Sequence, residues 1–136
     1  MTPTLITAIA FEPLHLPLTE PFAIATGAQH AAENVLVRLT LADGTVGLGE
    51  AAPFTAVSGE TQGSTLAALE TVRAGLVGRD VRAWRPASEW LGDSLALAPS
   101  ARCAVEMALL GRAGAATTAC RCTCCWAGRG RRWKST

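Results

Sequence analysis

One stretch constrains the fold more than any other: Glu33 to Pro53, ENVLVRLTLADGTVGLGEAAP. Val35, Val37, Leu39 and Leu41 alternate with Leu36, Arg38 and Thr40. Past Ala42-Asp43-Gly44, Val46 and Leu48 alternate with Gly47 and Gly49. Period-two alternation on both sides of Asp-Gly predicts a β-hairpin, because Asp and Gly both accept the positive φ such a turn needs. The second strand ends at Gly-Glu-Ala-Ala-Pro, since Pro53 cannot donate to a ladder. The far end of the hairpin therefore opens into a loop.

The flanking segments fill in around it. In Leu5 to Leu18, Ile6, Ala8 and Ala10 alternate with Thr7, Ile9 and Phe11, and Pro13 and Pro17 forbid a helix, so a first strand is expected there. Thr19 to Glu33, rich in Gly, Ala, Thr and polar residues, reads as a loop between strands one and two, and Phe54 to Gly59 as a second loop. Thr61 or Ser64 is positioned to cap a helix carrying Leu66, Leu69, Val72, Leu76 and Val77, with Gly78 as its stop. A shorter helix is expected after Pro86, around Ala87 to Leu91. A third, capped by Ser100, carries Cys103, Val105, Met107, Ala108, Leu109 and Leu110; apolar on nearly every face, it should be deeply buried. The fold class is α+β: a three-stranded antiparallel sheet followed by a helical bundle.

With 136 residues, 49% hydrophobic and 17% charged, the chain has room for one globular domain with a modest core. No apolar run approaches the roughly 20 residues needed to span a bilayer, and MTPTLITAIAFEP lacks the basic start of a signal peptide. These readings exclude a membrane partner and place the chain in the cytoplasm. The net charge of +1 conceals a split. Through Leu110 there are six Arg against eleven acids, net −5; from Gly111 on there are five Arg and Lys134 with no acid, net +6. Four of the five cysteines (Cys120, Cys122, Cys124, Cys125) fall in that second part. Residues 1–110 are accordingly expected to form the domain, and 111–136 a basic, Cys/Arg-rich, disordered tail.

Together, AENVLVRLTLADGTVGLGEAAPF, then SGET, then SARCAVEMALL resemble the N-terminal capping domain of the enolase superfamily, in its muconate lactonizing and dipeptide epimerase branch. The resemblance covers about residues 5 to 110. It implies an enolase N-terminal-like fold that closes over a TIM barrel, here missing. In the intact parent, a homo-oligomer, that barrel carries Mg²⁺ and the lysines that move the α-proton of a carboxylate substrate. The resemblance assigns this chain no catalytic residue and no metal ligand. It gives the cap two specificity loops, Pro21 to Glu33 and Ala52 to Glu60, with Ile24, Thr26, Gly27, Phe54 and Val57 facing substrate. Many dipeptide epimerases have a basic residue just after Pro-Phe in the first loop; Ala23 stands there here. A more apolar dipeptide or an N-acyl amino acid is implied over a Glu-bearing dipeptide. Alternative parents are muconate cycloisomerase, o-succinylbenzoate synthase and N-acylamino acid racemase.

The tail departs from the family at Gly111. Joining the third base of each codon to the next two turns Thr118-Ala119-Cys120-Arg121-Cys122 into a run compatible with His-Gly-Leu-Pro-Leu, so residues 111–136 read as an out-of-frame translation. Read at face value, Cys120-x-Cys-x-Cys-Cys and RGRRWK support a different class, a small noncatalytic metal- or nucleic-acid-binding protein. Zinc and Fe–S sites, however, prefer CxxC-type spacing, and no His follows in the tail; a run of six residues, four of them basic, with one Trp is a weak nucleic-acid signature, so no nucleic-acid partner is expected. Among single residues, Glu50 is expected at the strand end, held by backbone amides or facing a barrel mouth. Glu106 is expected in a structural bond, Cys103 in the core, and His15 and His30 in solvent.

Overall fold

The computed structural model describes residues 2–117, with side-chain surroundings through Arg112. Three antiparallel strands, β1 (Ile6–Ile24), β2 (Gly27–Leu41) and β3 (Val46–Ala51), form one sheet in the order β1-β2-β3. A single helical turn, α1 (Thr55–Ser58), leads to α2 (Gln62–Leu76), a 3₁₀ turn (Val81–Ala83), α3 (Trp84–Ser94) and α4 (Pro99–Thr117). The expected α+β class holds. Among the described residues, no helix is long and apolar enough to cross a membrane.

The β2–β3 hairpin is built as its turn chemistry requires. Gly44 sits at φ +83°, and the Thr45 amide and hydroxyl both donate to Asp43 Oδ1, at 2.9 and 2.7 Å. The hydroxyl, then the amide, hold the Asp43 carboxyl below its ordinary range. Val35, Val37, Leu39 and Leu41 of β2 face the core, at most 4% exposed. On β3 the buried residues are Gly47, Gly49 and Ala51, while Val46 and Leu48 point outward. The reason is steric. A side chain at Gly49 would meet the Ala104 carbonyl, and one at Gly47 the Ala108 carbonyl, because α4 lies with its backbone directly on β3.

Several expectations are corrected. Thr19–Glu33 is not a loop. β1 and β2 run on as a hairpin arm, pairing Phe22 with Gln29 and Ile24 with Gly27 beyond a register break between Pro17 and Phe22. Its side chains are mostly exposed, so main-chain hydrogen bonds hold it without an apolar face, and the hydrophobic pattern is silent. β1 is an edge strand, which is why Pro13 and Pro17 are tolerated. An irregularity between Ile6 and Ala8 puts Ile6 and Ile9, rather than alternate residues, into the core. Thr61 and Ser64 cap α2 together: Ser64 N donates to Thr61 Oγ1 at 3.1 Å and Thr61 N to Ser64 Oγ at 2.9 Å. Past α2, Gly78 takes φ +87° and its amide donates to the Ile6 carbonyl at 2.8 Å. α3 begins at Trp84, ahead of Pro86, whose missing N–H costs nothing in a first helical turn.

α4 is not buried all round. Ala101, Ala104, Val105, Ala108 and Leu109 are within 1% of full burial, but Cys103, Met107 and Leu110 form an exposed stripe on the far side. α4 packs on the sheet, α2, the 3₁₀ turn and α3, and among the described residues nothing covers its remaining face, so a uniformly apolar helix still has one wet side. It also starts at Pro99, placing Ser100 inside the first turn rather than at the cap. α4 continues to Thr117, so the compositional break at Gly111 falls within a helix. The cysteine cluster and the basic run at 129–134 lie outside the described residues.

Candidate functional site

The tip of the β1–β2 arm and the segment after β3 come together although more than twenty residues separate them. The Gln29 side-chain amide reaches the Pro53 carbonyl at 3.5 Å. Gly27 lies so close to Ala56 that an added Cβ would sit 2.8 Å from the Ala56 Cβ. Phe22 and Phe54 pair with ring centroids 5.9 Å apart and tilted by 57°, a favourable aromatic arrangement.

Two open grooves flank this junction and share Phe54. The first, about 590 Å³, runs along the arm past Gly27, Gln29, His30 and Glu33 to Thr55 and Ala56. The second, about 410 Å³, lies between the β3 end and α4, past Glu50, Val57, Glu60, Ser100 and Cys103. Of the residues expected to face substrate, Phe54 lines both grooves, Gly27 the first and Val57, 70% exposed, the second. Ile24 and Thr26 line neither. Ile24 pairs with Gly27 at the arm's end and Thr26 occupies the turn between them, both exposed. His30 lies on the first groove; His15 is exposed on β1.

Among the described residues, no Lys or Arg lines either groove; the charged residues at their walls are Glu33, Glu50 and Glu60. Two of these carboxylates are engaged. Glu50 Oε1 accepts from the Asn34 side-chain amide at 2.6 Å, not from backbone amides, while the Asn34 carbonyl accepts from Gln62 Nε2 at 2.7 Å. Glu60, only 5% exposed, accepts from Ser100 Oγ at 2.7 Å and Ser100 N at 3.1 Å. It thus takes an orphan amide and the positive dipole end at the start of α4. No local sequence signal reveals this pair: its members are 40 residues apart. Glu106 makes the structural bonds expected of it, accepting from Ser88 Oγ at 2.5 Å and Arg102 Nε at 2.9 Å. Cys103, expected in the core, is exposed on the second groove.

The family model described as mandelate racemase / muconate lactonizing enzyme, N-terminal domain, matches residues 6–119. Over 108 residues the chain is 59% identical to the aromatic dipeptide epimerase of Herpetosiphon aurantiacus, a match covering 79% of this chain and 30% of that protein. A crystal structure of a mandelate racemase/muconate lactonizing protein from the same organism superposes with TM-score 0.79 at 57% identity, over 82% of this chain and 31% of the other. The dipeptide epimerase of Enterococcus faecalis V583, crystallised with Mg and the dipeptide L-Leu-L-Tyr, gives TM-score 0.78 at 27% identity, over 82% of this chain and 32% of that one. The chain therefore spans about three tenths of the length of the relatives it matches.

Proposed function

The chain belongs to the mandelate racemase/muconate lactonizing enzyme family through its N-terminal domain, and we propose that it is the specificity lid of an isomerase that epimerises a dipeptide with an apolar or aromatic side chain. The observation that carries this reading is the position of Phe54, on both grooves and tilted against Phe22, where the two chain segments meet. A ring there offers an apolar substrate side chain edge and face contacts and excludes water from its neighbourhood. A glutamyl side chain would find no cation among the described residues of the groove walls and would lie among carboxylates. A cationic side chain is the less favoured alternative: Glu60 holds Ser100 with both oxygens and Glu50 holds Asn34 with Oε1, which leaves Glu33 as the carboxylate that would have to receive it.

Mg accompanies the dipeptide in the E. faecalis structure. The described residues do not fit such an ion: no three His, Cys, Asp or Glu side chains converge among them. The metal, which would stabilise charge developing on the substrate carboxylate, and the bases that move the α-proton are proposed for the barrel of the parent protein. This chain contributes orientation, enclosure and selectivity.

A graft tests the reading. Residues 6–110 replace the matching segment of the H. aurantiacus epimerase, and solvent deuterium entering the α-carbon of L-Ala-L-Phe is followed. Turnover near that of the parent is expected. A folded graft that exchanges no α-proton would sink the proposal.

A further inference from the structure

The lid loop needs something to hold it at a fixed height over a substrate, and its own packing is thin. Phe54 is half-buried, while Thr55, Val57, Ser58 and Gly59 are exposed. Two of its internal bonds meet at one residue, Glu60. The Thr55 hydroxyl donates to the Glu60 carbonyl at 3.0 Å, and the Glu60 amide donates to Ser58 Oγ at 3.3 Å. The Val57 and Ser58 amides close α1 onto the Phe54 carbonyl, and the Gly59 amide bonds the Thr55 carbonyl. Gly59, at φ +75°, then turns the chain so that the Glu60 side chain enters the protein.

We propose that Glu60 is a positioning residue for specificity, whose buried carboxylate fastens the Phe54–Val57 wall of the grooves to the start of α4. Backbone and side chain of the same residue do separate jobs. Its amide and carbonyl close the loop, and its carboxylate anchors the closed loop to Ser100, on an element that packs on β3 rather than on the loop. Among the described ion pairs none involves Glu60. The buried charge is instead held by a helix-start amide and a hydroxyl, and it is stable only where those two groups are. A charge this dependent on one geometry resists displacement of the loop. The link to substrate selectivity rests on the lid reading above; the fastening itself does not.

Amide hydrogen exchange on the full chain, with Glu60→Ala, Ser100→Ala and the double variant, separates these. If Glu60 fastens the loop, either single change speeds exchange at Val57, Ser58 and Gly59 by about tenfold or more. The double variant adds little to either, and the β2 amides of Val37 and Leu39 keep their protection. If Glu60 serves only as a cap for α4, exchange rises at Arg102 and Cys103 while the loop amides stay as they were, and the proposal fails. Uniform acceleration across loop and sheet, which marks global destabilisation, also overturns it. In the graft, Glu60→Gln should raise KM for L-Ala-L-Phe about tenfold with kcat within about threefold; an unchanged KM removes the specificity role while leaving the fastening judged by exchange. A graft inactive even with Glu60 in place refutes the lid reading instead.

Discussion

Replacing Gly49 by alanine should destabilise the domain by about 3 kcal/mol or more. A Cβ at Gly49 runs into the Ala104 carbonyl, with the Ala104 carbonyl carbon at 2.8 Å and its Cα at 3.2 Å. Carbon atoms settle at about 3.5–4.0 Å, so α4 must withdraw by about 1 Å. The obstacle is helix backbone and cannot swing aside. Ala101, Ala104, Val105 and Ala108, all fully buried, would lift together. A gap of that size forfeits about a quarter to a half of the dispersion energy of the atoms lining it. Overpacking by itself costs about 1–3 kcal/mol. With the gap added, about 3–5 kcal/mol is expected, a large part of the roughly 5–15 kcal/mol that holds a domain together. Urea unfolding of the full chain, followed by tryptophan fluorescence, reads the change as a lower midpoint at similar slope. Leu48→Ala is the control: one residue away, 55% exposed on the opposite face, it should change stability by less than about 1 kcal/mol. A Gly49→Ala protein within that same margin would refute the direct seating of α4 on β3.

Other changes follow from the same geometry. In the graft, Phe54→Ala should lower kcat/KM for L-Ala-L-Phe about tenfold to a hundredfold while leaving the melting temperature nearly unchanged. Ala23→Lys, on the exposed arm opposite Ala28, should raise activity on L-Ala-L-Glu relative to L-Ala-L-Phe, and added salt should weaken the gain. Arg73 joins Glu70 at 2.6 Å, the Phe11 ring at 4.7 Å from its centroid, and the Ile9 carbonyl. Arg73→Ala should therefore cost about 1–2 kcal/mol, Arg73→Lys should recover only part of it, and Glu70→Ala, which breaks only an exposed pair, should cost less than about 0.5 kcal/mol. The Asp80 carboxyl is held far below its ordinary 3.8, first by the Arg82 guanidinium and further by the Arg82 amide. A depressed carboxylate stabilises the fold above its unfolded value and loses that contribution as pH falls toward the folded one. Asp80→Ala should thus cost about 1 kcal/mol at pH 7, and the gap from wild type should close in melts run progressively below pH 4.

What could be read ahead of the structure was whatever rests on local chemistry. Asp43-Gly44 set the hairpin turn, the core face of β2 kept strict alternation, and Thr61 with Ser64 announced α2. What could not be read depends on partners distant in the chain. The arm from Thr19 to Glu33 is covered only near its tip, where Phe22 meets Phe54 and Gly27 meets Ala56, so its strands carry no hydrophobic period. The glycines of β3 mark the buried face only because α4 arrives there, more than fifty residues later. Cys103 and Met107 look like core on a helix whose outer side is left bare. In the candidate site, Phe54, Gly27 and Val57 follow from the family resemblance. Gln29, Asn34 and the Glu60–Ser100 pair require the fold.

The most direct test of the lid as an apolar-selecting element is one ratio, kcat/KM for L-Ala-L-Phe over that for L-Ala-L-Glu, measured on the graft carrying residues 6–110. Walls without a cation predict a ratio above about 100, equivalent to about 2.7 kcal/mol of discrimination. A ratio below one would mean that something other than the Phe54 grooves chooses the substrate.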